Sequence, residues 1–134
     1  MTDPISDMLT RIRNASAVRK SEIVLPMSKI KYQIGKILEK ENWIAKCEEV
    51  KSGDDAGKKK EFKLVLKYRK SGKPAISSLK RISTPGRRVY VGKDELPRVL
   101  NGFGMAIIST SKGLMTNKES RKESMGGEVI CEIY

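Results

Sequence analysis

Apolar side chains near the N-terminus recur at the spacing of one helix face, at i, i+3, i+4 and i+7. They are Ile5, Met8, Leu9 and Ile12. Asp3 and Pro4 precede them, and this pair is typical of a helix start because a carboxylate caps free amides and proline is tolerated in the first turn. The pattern therefore predicts an amphipathic helix over residues 4–16.

The chain then alternates between strand and helix patterns. A short apolar run predicts a strand over residues 21–27, and a second apolar stripe, capped by Ser28, predicts a helix that ends at Glu41-Asn42. Gly35 interrupts that stripe at a cost of about 1 kcal/mol relative to alanine, which indicates close packing there. Two strands follow, joined by a polar loop over residues 52–60; they cover residues 43–50 and 61–68.

The second half contains mostly strand patterns separated by turns. A linker is predicted at residues 70–74, and short helices are predicted after Asp94 and after Asn117, ending at Gly102 and Gly126 respectively. The predicted strands are residues 76–82, 88–91, 105–109 and a terminal strand through Val129, Cys131 and Ile133. The fold class is therefore α+β, with an N-terminal α-β-α-β-β module in residues 1–69 and a mainly β module with short helices in residues 70–134.

The composition narrows the possible chemistry. The 134 residues include 28 Lys and Arg, 16 Asp and Glu and no histidine, for a net charge of +12. Without histidine there is no Ser-His-Asp triad, no Cys-His pair and no imidazole metal ligand. Cys47 and Cys131 are far apart in the chain and are predicted to be small buried hydrophobic residues, without a disulfide or a metal. We expect no cofactor and no enzymatic activity.

The positive charge favours a polyanionic partner, although charge alone does not distinguish RNA from DNA or from an acidic membrane surface. No apolar run approaches the roughly 20 residues of a membrane span, and the N-terminus lacks the pattern of a signal peptide. We therefore expect a soluble, cytosolic protein. A DNA-binding or architectural role is disfavoured because no helix concentrates arginine and lysine.

One segment combines several groups suited to binding. The predicted strand of residues 105–109 runs into the hydroxyl residues Ser109, Thr110 and Ser111, and Gly126-Gly127 precedes the last strand. Hydroxyls can bind a phosphate, a sugar or a base edge, and glycines allow close approach of a partner. The alternative is ordinary turn chemistry, in which these hydroxyls bond the local backbone.

The run from Ser109 to Asn117, followed by Gly126-Gly127-Glu128, resembles the C-terminal signature of the bacterial small-subunit ribosomal protein S-eight family. Residues 3–14, 81–90 and 93–97 match the start and middle of the same family. The resemblance implies two α+β modules, direct binding to the central domain of 16S rRNA and an early role in 30S assembly. It also implies a cytoplasmic protein of the ribosome, next to other small-subunit proteins, with no small-molecule substrate.

The resemblance further implies an RNA-binding site at named positions. Ser109, Thr110 and Ser111 would contact bases and sugars, Lys112 would lie near a phosphate, and Gly113 would shape the loop. The groups that would hold or flank this loop, or stack on a base or ribose, are Gly126, Gly127, Glu128 and Tyr90. Backbone contacts from the first module are expected from Asn14, Ser28, Lys29 and Lys31.

The charge is unevenly distributed. Residues 67–98 hold ten basic and two acidic side chains, a net charge of +8, whereas residues 99–134 hold four of each and are neutral. The middle of the chain is therefore expected to supply attraction and secondary phosphate contacts, while the hydroxyl segment supplies recognition.

Overall fold

The computed structural model describes residues 3–50 and 60–134, apart from the side chains of residues 100 and 101. These residues form two compact units, one of Thr10–Ile76 and the other of Ser77–Tyr134 with the residues up to Leu9. We call them the three-stranded unit and the five-stranded unit after their sheets. The predicted domain boundary between residues 69 and 70 stays a prediction, because it concerns domains that fold independently.

The elements follow in an order that confirms the α+β prediction. The helices are α1 (Pro4–Ala17), α2 (Lys29–Lys40) and α3 (Asn117–Lys122), with a 3-10 turn at Val99–Gly102. The first strands are β1 (Glu22–Pro26), β2 (Lys46–Val50) and β3 (Glu61–Val65). The later strands are β4 (Leu79–Arg81), β5 (Tyr90–Val91), β6 (Met105–Thr110), β7 (Gly113–Thr116) and β8 (Gly127–Ile133).

The three-stranded unit contains an antiparallel sheet in the order β1-β3-β2. Phe62 and Leu64 of β3 are fully buried, as their alternation predicted. Helix α2 packs closely on this sheet at Gly35, where a Cβ would lie 2.8 Å from the Cys47 sulfur and 3.0 Å from Leu64. The predicted close packing at Gly35 is thus confirmed. The predicted loop of residues 52–60 lies outside the described residues except for Lys60.

The five-stranded unit contains a second antiparallel sheet in the order β4-β8-β6-β7, with β5 also paired to β8. Its core includes Leu96, Val99, Ala106, Ile108 and Val129. Helix α1 begins in this unit, and Asp3 accepts a hydrogen bond at 3.2 Å from the Ser6 amide, which confirms the predicted cap. The same carboxylate pairs with Arg81 of β4 at 3.1 Å.

Several predicted local features are different in the structure. Thr116, rather than Asn117, caps α3 through a reciprocal pair of hydrogen bonds with Glu119. The helix ends at Lys122, and Ser124, rather than Gly126, has the positive φ that follows its C-cap Glu123. Asn117 instead bonds the Ala106 amide at 3.2 Å and the Pro97 carbonyl at 2.8 Å. The buried Asn117 side chain thus connects β6 to the Pro97 carbonyl instead of capping α3.

Candidate functional site

The hydroxyl segment forms the tip of a β-hairpin. Strand β6 is buried from Met105 to Ile108, and Thr110 pairs with Gly113 of β7, so that Ser111 and Lys112 form a two-residue turn. Gly113 has a φ of +107°, a conformation that favours glycine. The sequence did not predict β7, because a four-residue strand next to a polar turn leaves little periodicity to detect.

The three hydroxyls of this hairpin differ in their local bonding. The Thr110 hydroxyl donates to the Gly113 carbonyl at 2.8 Å and accepts from the Lys112 amide at 3.1 Å. The Thr110 hydroxyl therefore stabilises the turn, as the alternative of ordinary turn chemistry predicted. The hydroxyls of Ser109 and Ser111 make no hydrogen bond to any described part of the protein, and Ser111 is exposed. Both remain available to a ligand.

Gly126 and Gly127 allow three strands to meet beside the hairpin. A Cβ on Gly127 would overlap the Ser109 carbonyl, and one on Gly126 would overlap the Val91 carbonyl. Strand β8 begins here between β5 and β6. The two glycines thus allow close packing at the base of the hairpin.

Tyr90, Glu128 and Ser109 form a row across β5, β8 and β6, because Glu128 is paired directly with each of the other two. Directly opposed residues in antiparallel strands share a face, so the Tyr90 ring and the Ser109 hydroxyl lie on one side of the sheet. Their backbones are separated by two strand spacings, about 10 Å. Tyr90 is 68% exposed, which leaves its ring open for stacking.

The Glu128 carboxylate is held within the protein. It accepts hydrogen bonds from the Ser83 hydroxyl and, at 2.9 Å, from the Arg88 guanidinium. Burial raises the pKa of Glu128, but these two hydrogen bonds and the charges of Arg88 and Arg81 outweigh it, and the net pKa lies below its ordinary value. Ser83 also accepts from the Val89 amide at 3.0 Å. Glu128 therefore fixes the segment that leads into β5 and Tyr90. Sequence reasoning missed the two partners, because only the fold brings residues 83, 88 and 128 together.

The remaining predicted residues belong to the three-stranded unit. Asn14 is exposed on α1 and lines a shallow cleft of about 520 Å³ with Arg11, Lys20 and Val24. Ser28 occupies the N-cap position of α2, but its hydroxyl makes no capping hydrogen bond. Lys29 is exposed and Lys31 is half-buried in the first turn of that helix. Asn14 and the Ser28–Lys31 group thus lie on different helices.

The sequence matches a single family over nearly its whole length. The model of the family described as Ribosomal protein S8 matches residues 3–134. The small ribosomal subunit protein uS8 of Caldanaerobacter subterraneus subsp. tengcongensis is 55% identical over 134 residues, covering 100% of this chain and 98% of its own length. The proteins of the same name from Thermoanaerobacter sp. and Desulforudis audaxviator are 56% and 52% identical, covering 100% of this chain and 98% and 99% of their own lengths.

The chain belongs to the ribosomal protein S8 family. The resemblance predicted from Ser109–Asn117 and Gly126–Glu128 is thereby confirmed, and with it a place in the ribosome, in the cytoplasm. The S8 family is a structural, non-enzymatic family of ribosomal proteins.

Both cysteines of this S8-family chain are buried and free. Burial raises the pKa of the Cys47 thiol to about 11 and that of Cys131 to about 12, so both thiols stay protonated at neutral pH. Within residues 3–50 and 60–134, no three Cys, Asp or Glu side chains gather as metal ligands. In the same ranges, no helix has the length and apolar character required to cross a membrane.

Proposed function

We propose that this S8-family protein binds rRNA directly, that its target is the central domain of 16S rRNA, and that it supports 30S assembly as a primary binding protein of the small subunit. The observation that carries this proposal is the tip of the β6–β7 hairpin. There, Ser109 and Ser111 offer hydroxyls that have no partner in the described protein. The neighbouring exposed ring of Tyr90 adds a stacking surface.

The groups at this hairpin suit the surface of an RNA helix. A-form RNA has a deep, narrow major groove and a shallow minor groove that displays 2′-hydroxyls and base edges. A serine hydroxyl both donates and accepts a hydrogen bond, so it can pair with a 2′-OH or with a base edge. Because Thr110 and Gly113 hold the turn, Ser111 enters such a groove from a rigid support.

Electrostatics also supports binding of RNA at this face. Glu128 is the carboxylate nearest in the strand row to Ser109 and Tyr90, and Arg88 is paired with it at 2.9 Å. The pairing screens the negative charge that would otherwise repel phosphates. Lys112 in the hairpin turn then provides an exposed cation for a phosphate.

The partners that we propose are 16S rRNA and neighbouring small-subunit proteins, in line with the names of the curated relatives. Contacts from Asn14, Ser28, Lys29 and Lys31 to the RNA backbone form part of the same proposal. The exposed positions of Asn14 and Lys29 and the free hydroxyl of Ser28 support it. A DNA-binding role is the competing outcome in the test below.

The test measures affinity for a central-domain 16S rRNA fragment and for a DNA duplex of the same sequence, over a series of salt concentrations. We expect a clear preference for the RNA, and equal affinity for the two would refute the proposal. Ser111→Ala should weaken RNA binding by about 1–2 kcal/mol through lost hydrogen bonds. The salt dependence should hardly change, since no cation is removed. Ser77→Ala, at another exposed serine of the same unit, is the matched control and should bind normally.

A further inference from the structure

Residues 67–75, which the sequence suggested in part as a linker, form a second hairpin in the three-stranded unit. The Ala75 amide donates to the Lys67 carbonyl at 2.9 Å and the Arg69 amide to the Lys73 carbonyl at 2.8 Å. Between these hydrogen bonds, Tyr68 pairs with Pro74. A three-residue turn closes the hairpin, with Gly72 at a φ of +89°. We call residues 67–75 the basic hairpin.

The basic hairpin is attached to the end of α1. The Tyr68 hydroxyl donates to the Lys20 carbonyl at 2.5 Å. The Arg19 guanidinium lies over Gly72, where a Cβ would be 3.4 Å from its central carbon and from Nη1. The side chains of Arg19 and Lys20 are therefore added to the cations of the hairpin itself.

Together these elements expose six cations without a carboxylate partner. They are Arg19, Lys20, Lys67, Arg69, Lys70 and Lys73. None of the six forms an ion pair within residues 3–50 and 60–134, and the basic hairpin contains no acidic residue. By contrast, two other arginines of the basic middle segment are already paired within the protein: Arg81 with Asp3 and Arg88 with Glu128.

The arrangement carries two costs, and a bound anion would relieve the first of them, the repulsion between opposed cations. Arg69 and Lys73 are directly opposed across the hairpin, and like charges in that position repel each other. Arg19 has a φ of +56° at the position after the helix end, which most often holds glycine. Its amide and that of Lys20 close the helix by bonding the Ser16 and Ala15 carbonyls. An arginine is thus retained where a glycine would be less strained.

From these contacts we propose that the basic hairpin and the end of α1 form a phosphate-binding site for an RNA backbone, separate from the hydroxyl hairpin. The ligand is the phosphodiester chain, bound by Arg69, Lys70 and Lys73 at the tip and by Arg19 at the base. Arginine binds phosphate through its planar set of donors and lysine as a point charge, so the site contributes affinity without reading sequence. The inference rests on the proposed function for its ligand, because that function supplies the RNA.

The test compares Arg69→Gln/Lys73→Gln with Lys118→Gln/Arg121→Gln, a pair of exposed cations on α3 of the five-stranded unit. Affinity for the 16S rRNA central-domain fragment is measured over a salt series. Each phosphate contact that is lost should reduce the slope of log K against log salt by about one. We expect the hairpin variant to lose about tenfold in affinity at moderate salt and the control to lose about twofold at most. Arg69→Lys/Lys73→Arg keeps the charge and should retain affinity near that of the wild type.

Arg19→Gly adds a measurement in which folding and binding change in opposite directions. Glycine relieves the positive φ, so the melting temperature should stay equal or rise, while RNA affinity falls by about threefold. Acylation of lysines gives a direct readout, since RNA should protect Lys70 and Lys73 but not Lys118.

The outcomes separate this inference from the proposed function. If the wild type prefers RNA over DNA but the hairpin variant and its control have the same slope and affinity, the phosphate site is refuted and the proposed function stands. Unprotected Lys70 and Lys73 in the RNA complex would refute the site as well. If the wild type does not prefer RNA, the proposed function fails first, whatever the slopes of the variants.

Discussion

The Glu128 carboxylate offers a sharp test of how the five-stranded unit is held together. Glu128→Ala removes two hydrogen bonds, one from the buried Ser83 hydroxyl and one from Arg88. A hydrogen bond to a charged acceptor contributes about 1.5–3 kcal/mol, and Ser83 is fully buried. The Arg88 side chain is half exposed, so its ion pair adds about 0.5 kcal/mol. Glu128→Ala should therefore lower the free energy of unfolding by about 3 kcal/mol.

Glu128→Gln isolates the contribution of charge. The amide oxygen can still accept from Ser83, so the expected loss at pH 7 is smaller, about 1 kcal/mol. The pKa of Glu128 is lowered by folding, so its charged form contributes stability above its ordinary pKa of 4.5. That contribution is lost as the pH falls through the lowered pKa of the folded protein. The difference between wild type and Glu128→Gln should thus persist at neutral pH and disappear in acid.

The assay is urea-induced unfolding followed by circular dichroism at pH 7 and at points between pH 5 and pH 2.5. Hydrogen exchange of the Val89 amide, which donates to Ser83, gives a local readout in the same unit. Glu132→Gln, on the same strand but without an ion pair in the described residues, is the control and should have the same free energy of unfolding as wild type at pH 7. A wild-type advantage over Glu128→Gln that is equal at pH 7 and pH 2.5 would refute the electrostatic reasoning.

Two glycines give further predictions about packing, both measured by urea unfolding. Gly127→Ala places a Cβ against the Ser109 carbonyl and should destabilise the protein by about 3 kcal/mol. Gly92→Ala is the control, because a Cβ there meets nothing within 4 Å, and it should have little effect on stability. Similar losses of stability in the two variants would contradict this account. Gly35→Ala gains about 1 kcal/mol of helix propensity but overpacks Cys47, for a net loss of about 1 kcal/mol. The loss should shrink in a Cys47→Ala background, and an unchanged loss would show that the contact is unimportant.

Features that depend on near neighbours in the chain were predictable. The helix start at Asp3, the end of α2 at Glu41-Asn42 and the buried alternation of Phe62 and Leu64 all depend on periods of two or 3.6 residues and on short-range capping. The composition likewise indicated a polyanionic partner, and the hydroxyl segment indicated a family. For the helices and strands, the information lies within a few residues, where backbone geometry directly links sequence to structure.

Features that depend on pairing between distant residues were not predictable from the pattern. Residues 70–74 were predicted as a linker because so short a segment shows no period. In the structure, cross-strand hydrogen bonds and Tyr68 fold residues 67–75 into a hairpin at the end of α1. Glu128 was expected to hold or flank the hydroxyl loop, but its bonds to Ser83 and Arg88 could not be read from the pattern, because these partners lie 45 and 40 residues away in the chain.

By itself, the sequence determined the fold class, the family and the positions of the chemically suited residues, because local periodicity and motif order are written along the chain. Only the tertiary structure decided which hydroxyls and cations are free. Thr110 is used in its own turn while Ser109 and Ser111 are open, and Arg81 and Arg88 are paired while the cations of the basic hairpin are not. The reason is that availability depends on the partners that folding brings within hydrogen-bond distance, and those partners lie tens of residues away in the chain.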